Sequence, residues 1–196
     1  NGNLWIASEG SGLYKIKGDS VIQYTEKEGL ANNWLSSISA SQKSGVWFCT
    51  ESGEISKFEN NKFLHFYNLP NPIGKSDSSI LFVQEDSIGN IWFANMYDLF
   101  SFDFKNKDPF SLTNSIDIKV SYYNYKDGFS QDYLSSDDAV IDSNNVLYIA
   151  GSNGLSKFQI LNDKTRSTVA APKLIDLKIN DISYAYGAIN KNKQNG

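Results

Sequence analysis

The chain has 196 residues, 40% of them hydrophobic and 14% aromatic, with a formal net charge of −4. That length suits one sizeable core, and mild acidity without a basic stripe disfavours a nucleic-acid partner. No apolar run approaches membrane-spanning length, no signal peptide is visible, and a single cysteine and a single histidine exclude an intrachain disulfide and a His-rich metal site.

A short phrase recurs along the chain. It reads Gly-Asn-Leu-Trp-Ile at 2–6, Gly-Val-Trp-Phe at 45–48, Gly-Asn-Ile-Trp-Phe at 89–93 and Asn-Val-Leu-Tyr-Ile at 145–149. Trp5, Trp47, Trp92 and Tyr148 thereby anchor units of roughly 40–50 residues, the period of four-stranded propeller blades. Leu4 and Ile6, Tyr14 and Ile16, Val46 and Phe48, and Ile91 and Phe93 alternate at period two. Sustained helical periodicity is missing, so the chain reads as all-β.

The first unit begins at its second strand, around Trp5, and continues through Gly12-Leu13-Tyr14. The link Glu28-Gly29-Leu30 leads into the second unit. There, strands are expected at Trp34 to Ser41, Val46 to Thr50, Glu54 to Phe58 and Lys62 to Phe66. The turns between them carry Gly45, Gly53 and Asn60-Asn61, residue types that tolerate positive φ. The third unit has strands at Ser79 to Glu85, Ile91 to Ala94 and Leu99 to Phe104, then an extra stretch around Pro109 to Ser115. The fourth has strands at Tyr133 to Ile141, Val146 to Ala150 and Leu155 to Gln159. Asp86 and Asp142 open tight turns, where Asp bonds the local backbone.

One tryptophan per unit at one register reads as a packing residue that fills the wedge between radially arranged sheets. Cys49 reads as a buried free thiol, and Lys15, Lys17 and Lys57 as solvated strand-face charges. His65 sits in an outer strand, away from the axis where propeller sites collect. The acidic groups Glu51 with Glu54, and Asp132 with Asp137-Asp138, are candidates for paired-carboxylate chemistry. Their plainer reading is loop and turn chemistry.

These residues resemble the two-component regulator propeller repeat, a pattern of Asp-x-x-Gly-x-Leu-Trp-Ile-Gly-Thr followed by Gly-Leu-x-x-Tyr. Gly2 to Ser8 with Gly12 to Tyr14, and Asp86 to Phe93, carry the likeness. The last unit resembles the family's terminal blade in Lys126-Asp127-Gly128-Phe129 and in Leu147 to Phe158. Departures are Asp98 for the usual Gly, Asn95-Met96-Tyr97 for the small Gly-Thr loop, and the extra stretch in unit three. The resemblance implies a β-propeller of four-stranded antiparallel blades, here about three and a half of the seven the family closes. It implies blades over 1–171, a final strand or the opening strand of a β-sandwich (the Y_Y_Y domain) over 172–186, and a disordered tail over 187–196. A competing topology uses Leu174 to Ile179 to complete the first blade and close a small propeller.

The parent implied by the family is a membrane-spanning hybrid sensor histidine kinase, with this segment on the extracytoplasmic, periplasmic side. No His-box, nucleotide-binding Gly cluster or receiver Asp pocket is readable here, so the segment is expected to be non-enzymatic, without cofactor or metal. Membrane contact comes only through the parent. Unpaired strand edges are expected to pair with another chain, as in a homodimer, or to be capped.

If the strands run as in other propellers, inter-blade links and second-to-third-strand loops share one face. That face holds Asn33 and Trp34, Glu51, Asp77, Tyr97, Tyr133 and Asn153. Flat aromatics mixed with amides and carboxylates suit a sugar, whose C–H faces stack while its hydroxyls pair. The expectation is therefore an oligosaccharide-sensing segment. The alternatives are a polysaccharide lyase or hydrolase, or a protein-interaction scaffold.

Overall fold

A computed structural model describes residues 2–66, 79–104, 109–111, 118–124, 134, 139–151, 154–160, 177–179 and 182–184. Among the described residues, four antiparallel blade sheets follow one another along the chain. Blade one holds β1 (Leu4–Ser8), β2 (Gly12–Lys17) and β3 (Ser20–Tyr24). Blade two holds β4 (Leu35–Ala40), β5 (Val46–Thr50), β6 (Ile55–Glu59) and β7 (Lys62–Phe66). Blade three holds β8 (Phe82–Glu85), β9 (Ile91–Ala94), β10 (Leu99–Asp103) and β11 (Lys119–Tyr123). Blade four holds β12 (Ala139–Ile141), β13 (Val146–Gly151) and β14 (Gly154–Gln159). Within every blade the strands pair in sequence order, an up-and-down meander. β4 lies against β1 on one side and β8 on the other, and β8 lies against β12. The architecture is a partial β-propeller.

Three hydrophobic cores fill the three boundaries between blades. Leu13, Trp5 and Tyr24 of blade one meet Leu35, Val46, Phe48 and Phe58 of blade two. Trp47, Cys49 and Ile55 meet Val83, Ile91, Phe93 and Phe102 of blade three. Trp92, Leu99 and Tyr123 meet Leu147, Ile149 and Phe158 of blade four. Period-two alternation explains the division. Val46 and Phe48 face blade one while Trp47 and Cys49 face blade three, so β5 is buried on both sides. β9 repeats this, sending Ile91 and Phe93 back and Trp92 and Ala94 forward.

The three anchor tryptophans pack between blades as their register implies. Trp5 meets Phe58 edge-on with centroids 5.3 Å apart, and Trp47 stacks on Phe104 at 6.0 Å. The N–H and O–H groups of the anchor aromatics have a second role that the sequence did not suggest. Trp92 Nε1 donates to Asp86 Oδ2 at 3.0 Å, and the same carboxylate caps Ile88 N, Asn90 N and Asn90 Nδ2. Asp142 does the same for Asn144 N, Val146 N and the Tyr148 hydroxyl. One turn aspartate thus fixes both the hairpin and the wedge residue. Gly45 is obligatory in its turn: its φ is 79° and a Cβ there would collide with the Phe58 carbonyl.

Several expectations need correction. Lys57 is not solvated. It is 4% exposed, pairs with Glu59 at 2.8 Å and sits over the Trp47 ring at 5.5 Å. The link around Glu28-Gly29 stands as expected and is built as a 3-10 turn, Glu26–Glu28, closed by a Thr25/Glu28 capping box and a left-handed Gly29. β15 (Leu177–Ile179) pairs with β16 (Ile182–Tyr184) and not with β1, so it does not complete blade one. Residues 161–176, 180–181 and 185–196, which carry part of the expected sandwich strand and all of the expected tail, lie outside the described residues. Cys49 is buried and free of disulfide, as expected.

Candidate functional site

The chain's links meet the second-to-third-strand loops at one end of the blades. Between blades one and two, the Asn33 carbonyl accepts Gly10 N and Gly12 N, each at 3.0 Å. The Trp34 carbonyl accepts Glu51 N at 3.3 Å, and Glu9 and Trp34 form an isolated antiparallel bridge. Asn32 ties the next loop in through its side chain, donating from Nδ2 to Ser52 Oγ at 3.0 Å and accepting Trp34 N on Oδ1 at 2.8 Å. Three of the expected site residues, Asn33, Trp34 and Glu51, therefore meet. They meet because a link must cross over the loops of the two blades it joins.

Their roles differ. Asn33 is the clamp of the link: its Oδ1 accepts Glu26 N at 3.0 Å, and its own N–H donates to Glu26 Oε1 at 3.2 Å. Trp34 is the presenting residue. Its side chain is 52% exposed, and its six-membered ring rests over Gly10, where a Cβ would stand 3.3 Å from the ring. Gly10 was not expected to matter. Its signal was available as the small residue in the Glu9-Gly10-Ser11 loop. Glu51 is exposed beside it. Its acidic neighbour Glu54 is occupied within its own loop, accepting from Thr50 Oγ1 and from Ser52 Oγ at 2.7 Å. That occupation argues against a working Glu51/Glu54 acid–base pair.

Tyr97 stands on the corresponding loop of blade three and is 43% exposed. Asn95 Oδ1 shapes this loop by accepting Tyr97 N and Asp98 N, and the Met96 carbonyl accepts Leu134 N at 2.9 Å from the following link. Asp77, Tyr133 and Asn153 lie outside the described residues.

The described hydrogen-bond partners of His65 do not make a nucleophilic constellation. Its Nδ1 is hydrogen-bonded to Ser56 Oγ at 2.8 Å and its Nε2 to the Gly29 carbonyl at 2.9 Å. Ser56 is fully buried, beyond reach of any ligand. The histidine instead ties outer strand β7 to the link between blades one and two. Among the described residues no group of three His, Cys, Asp or Glu side chains could hold a metal ion, and no helix is long and apolar enough to cross a membrane.

The opposite end of the blades carries two clefts. One, of about 580 Å³, opens between blades two and three over Trp47, Lys57 and Glu85. The other, of about 470 Å³, opens between blades one and two over Trp5, Lys15 and Ala40.

The fold places the chain among the β-propellers, and solved structures share it. The chain is similar to the extracellular domain assigned to a hybrid two-component system, BT3049, of B. thetaiotaomicron, with 20% identity and a TM-score of 0.58 over 86% of this chain and 24% of that one. It is similar to a streptogramin B lyase, with 15% identity and a TM-score of 0.57 over 82% of this chain and 48% of that one. It is also similar to the virginiamycin B lyase of Staphylococcus aureus, with 18% identity and a TM-score of 0.53 over 82% and 53%. The chain spans about a quarter of the first of these and about half of the lyases. No protein-family model and no curated protein matches.

Proposed function

We propose that this chain is the ligand-sensing, extracytoplasmic propeller segment of a hybrid two-component sensor histidine kinase, and that it takes an oligosaccharide on the face built by Trp34 and Glu51. The observation that carries the reading is the seating of Trp34. A half-exposed indole held over Gly10, beside an exposed carboxylate and the Asn32–Ser52 pair, offers a stacking plane with polar partners at its rim. The resemblance of the repeats to the two-component regulator family, and the likeness to an extracellular domain of such a system, support the class. In this reading the segment is not itself an enzyme, works without a cofactor and reaches the membrane only through its parent. Ligand binding acts by favouring one arrangement of the ectodomain.

Calorimetry of the chain against a panel of neutral oligosaccharides tests this. Binding that is lost in Trp34→Ala supports it. Absence of binding across the panel, or undiminished binding by both Trp34→Ala and Tyr97→Ala, overturns it. The alternative, a propeller lyase, gains support from the likeness to two lyases. It requires turnover that disappears in Glu51→Gln.

A further inference from the structure

Blade two breaks the repeat at one point, and the break lies in the larger cleft. In blades three and four the turn aspartate, Asp86 or Asp142, stands six positions before the anchor aromatic and accepts its N–H or O–H. In blade two that position is Ser41, whose Oγ is buried with no hydrogen-bond partner among the described residues. Trp47 Nε1 donates instead to Glu85 Oε2 of blade three at 2.9 Å, and Gln42 N donates to the same oxygen at 3.0 Å. The positions matching Glu85 in blades two and four are Ala40 and Ile141. A carboxylate has thus been placed where sister blades carry apolar residues, and it is 7% exposed.

Capping of Trp47 explains Oε2 only. Oε1 accepts no hydrogen bond among the described residues. It lies on the side of Gly89, where a Cβ would come within 3.8 Å, and both residues line the cleft. A carboxylate oxygen that opens onto the cleft without a protein donor is free to accept a hydroxyl or ammonium proton. Around the mouth stand Lys43, from the β4–β5 turn, and Lys62, the first residue of β7, and neither pairs with a carboxylate among the described residues. Lys57 is already held by Glu59. Phe110 lines the wall and is partly exposed. The cleft between blades one and two supplies an internal comparison: it has the same wedge geometry and Lys43, but Ala40 in place of the acid.

We propose that the cleft between blades two and three is a second binding site, specific for a saccharide that carries a carboxylate or sulfate group. The anionic group meets Lys43 and Lys62, a hydroxyl donates to Glu85 Oε1, and C–H groups pack on Phe110. The site shares the saccharide class with the reading above but lies at the other end of the blades, so each stands or falls alone.

The test is titration of the full chain with trigalacturonate and with a sulfated disaccharide, followed by calorimetry and tryptophan emission. Cellotriose and inorganic sulfate serve as controls. At least one acidic saccharide is expected to bind, with affinity falling as salt rises. Affinity is expected to fall about tenfold in Lys43→Ala/Lys62→Ala and in Glu85→Gln, and to persist in Trp34→Ala. Glu85→Gln keeps a carbonyl acceptor for the indole, and the lysine pair is on the surface, so folding is preserved. No binding by either acidic saccharide overturns the proposal, as does binding unchanged in both variants. Binding of inorganic sulfate as tight as that of the saccharides reduces the site to an adventitious ion only. If Trp34→Ala alone abolishes binding, the cleft falls and the loop face stands. If only the cleft variants lose it, the cleft stands, and the loop face is judged by the neutral panel alone.

Discussion

Trp47 of blade two and Glu85 of blade three are joined across the blade boundary by a 2.9 Å hydrogen bond, where the corresponding aromatics of blades three and four bond within their own blade. The bond makes one wedge depend on a side chain from each of two sheets. Glu85→Ala takes the acceptor from the buried Trp47 Nε1–H and from the Gln42 N–H. The expected loss is about 1–3 kcal/mol in urea unfolding. Ser41→Asp restores the within-blade acceptor and is expected to recover part of that loss in the Glu85→Ala background. No recovery would show that Ser41 is not the equivalent of Asp86.

The tryptophans divide into one that presents and several that pack. Trp47 is 1% exposed within an aromatic stack with Phe66 and Phe104, and Trp34 is 52% exposed. Trp47→Ala is expected to cost about 3–5 kcal/mol, as for other large-to-small changes in a core. Trp34→Ala is expected to stay within about 0.5 kcal/mol of the parent chain. Equal effects on chemical unfolding would contradict the division on which the loop-face site rests.

The blade pattern was legible because each wedge residue recurs with its turn and its period-two neighbours, and those are local signals. The meeting of Asn33, Trp34 and Glu51 was legible once links and loops were assigned to one end. Three things were not. β11, Lys119–Tyr123, was hidden behind the long excursion after Phe104. Lys57 read as solvated because its burial comes from Phe110 and Glu59, which no strand periodicity indicates. Glu85 read as the last residue of a strand because its partner, Trp47, lies 38 positions earlier in another sheet. Contacts between blades decide the chemistry here, and a single repeat unit does not encode them.

Two carboxylates give the fold an acid dependence. The Thr25 hydroxyl, with the Thr25 N–H, holds Glu28 below its ordinary pKa, and the Val146 and Asn144 N–H groups do the same for Asp142. In both cases the folded pKa lies below the unfolded one. Their stabilisation is therefore complete above the unfolded value and is lost as pH falls through the folded value. The urea midpoint is expected to drop below about pH 4.5. In Glu28→Gln/Asp142→Asn the drop should be shallower, with a lower midpoint at neutral pH. A double variant as acid-sensitive as the parent chain would assign the dependence to other groups.

The outward face of blade one repeats a surface that is covered everywhere else in the fold. Val46 and Phe48 of β5, Ile91 and Phe93 of β9, and Leu147 and Ile149 of β13 are all buried against the preceding blade. The matching residues of β1 are Leu4 and Ile6, 59% and 42% exposed, with Val21 of β3 on the same face at 61%. Blade four leaves its own outward face open at Val140 and Leu155. Exposed apolar faces of this kind favour association. We propose that they pair two copies of this chain, blade one of each against blade four of the other. Sedimentation velocity of the 196-residue chain is expected to show concentration-dependent dimers. Leu4→Lys/Ile6→Lys is expected to give monomers with unchanged urea midpoint, because neither side chain contributes to a core between blades. A monomeric parent chain, or dimers that survive the double substitution, would remove these faces as the point of contact.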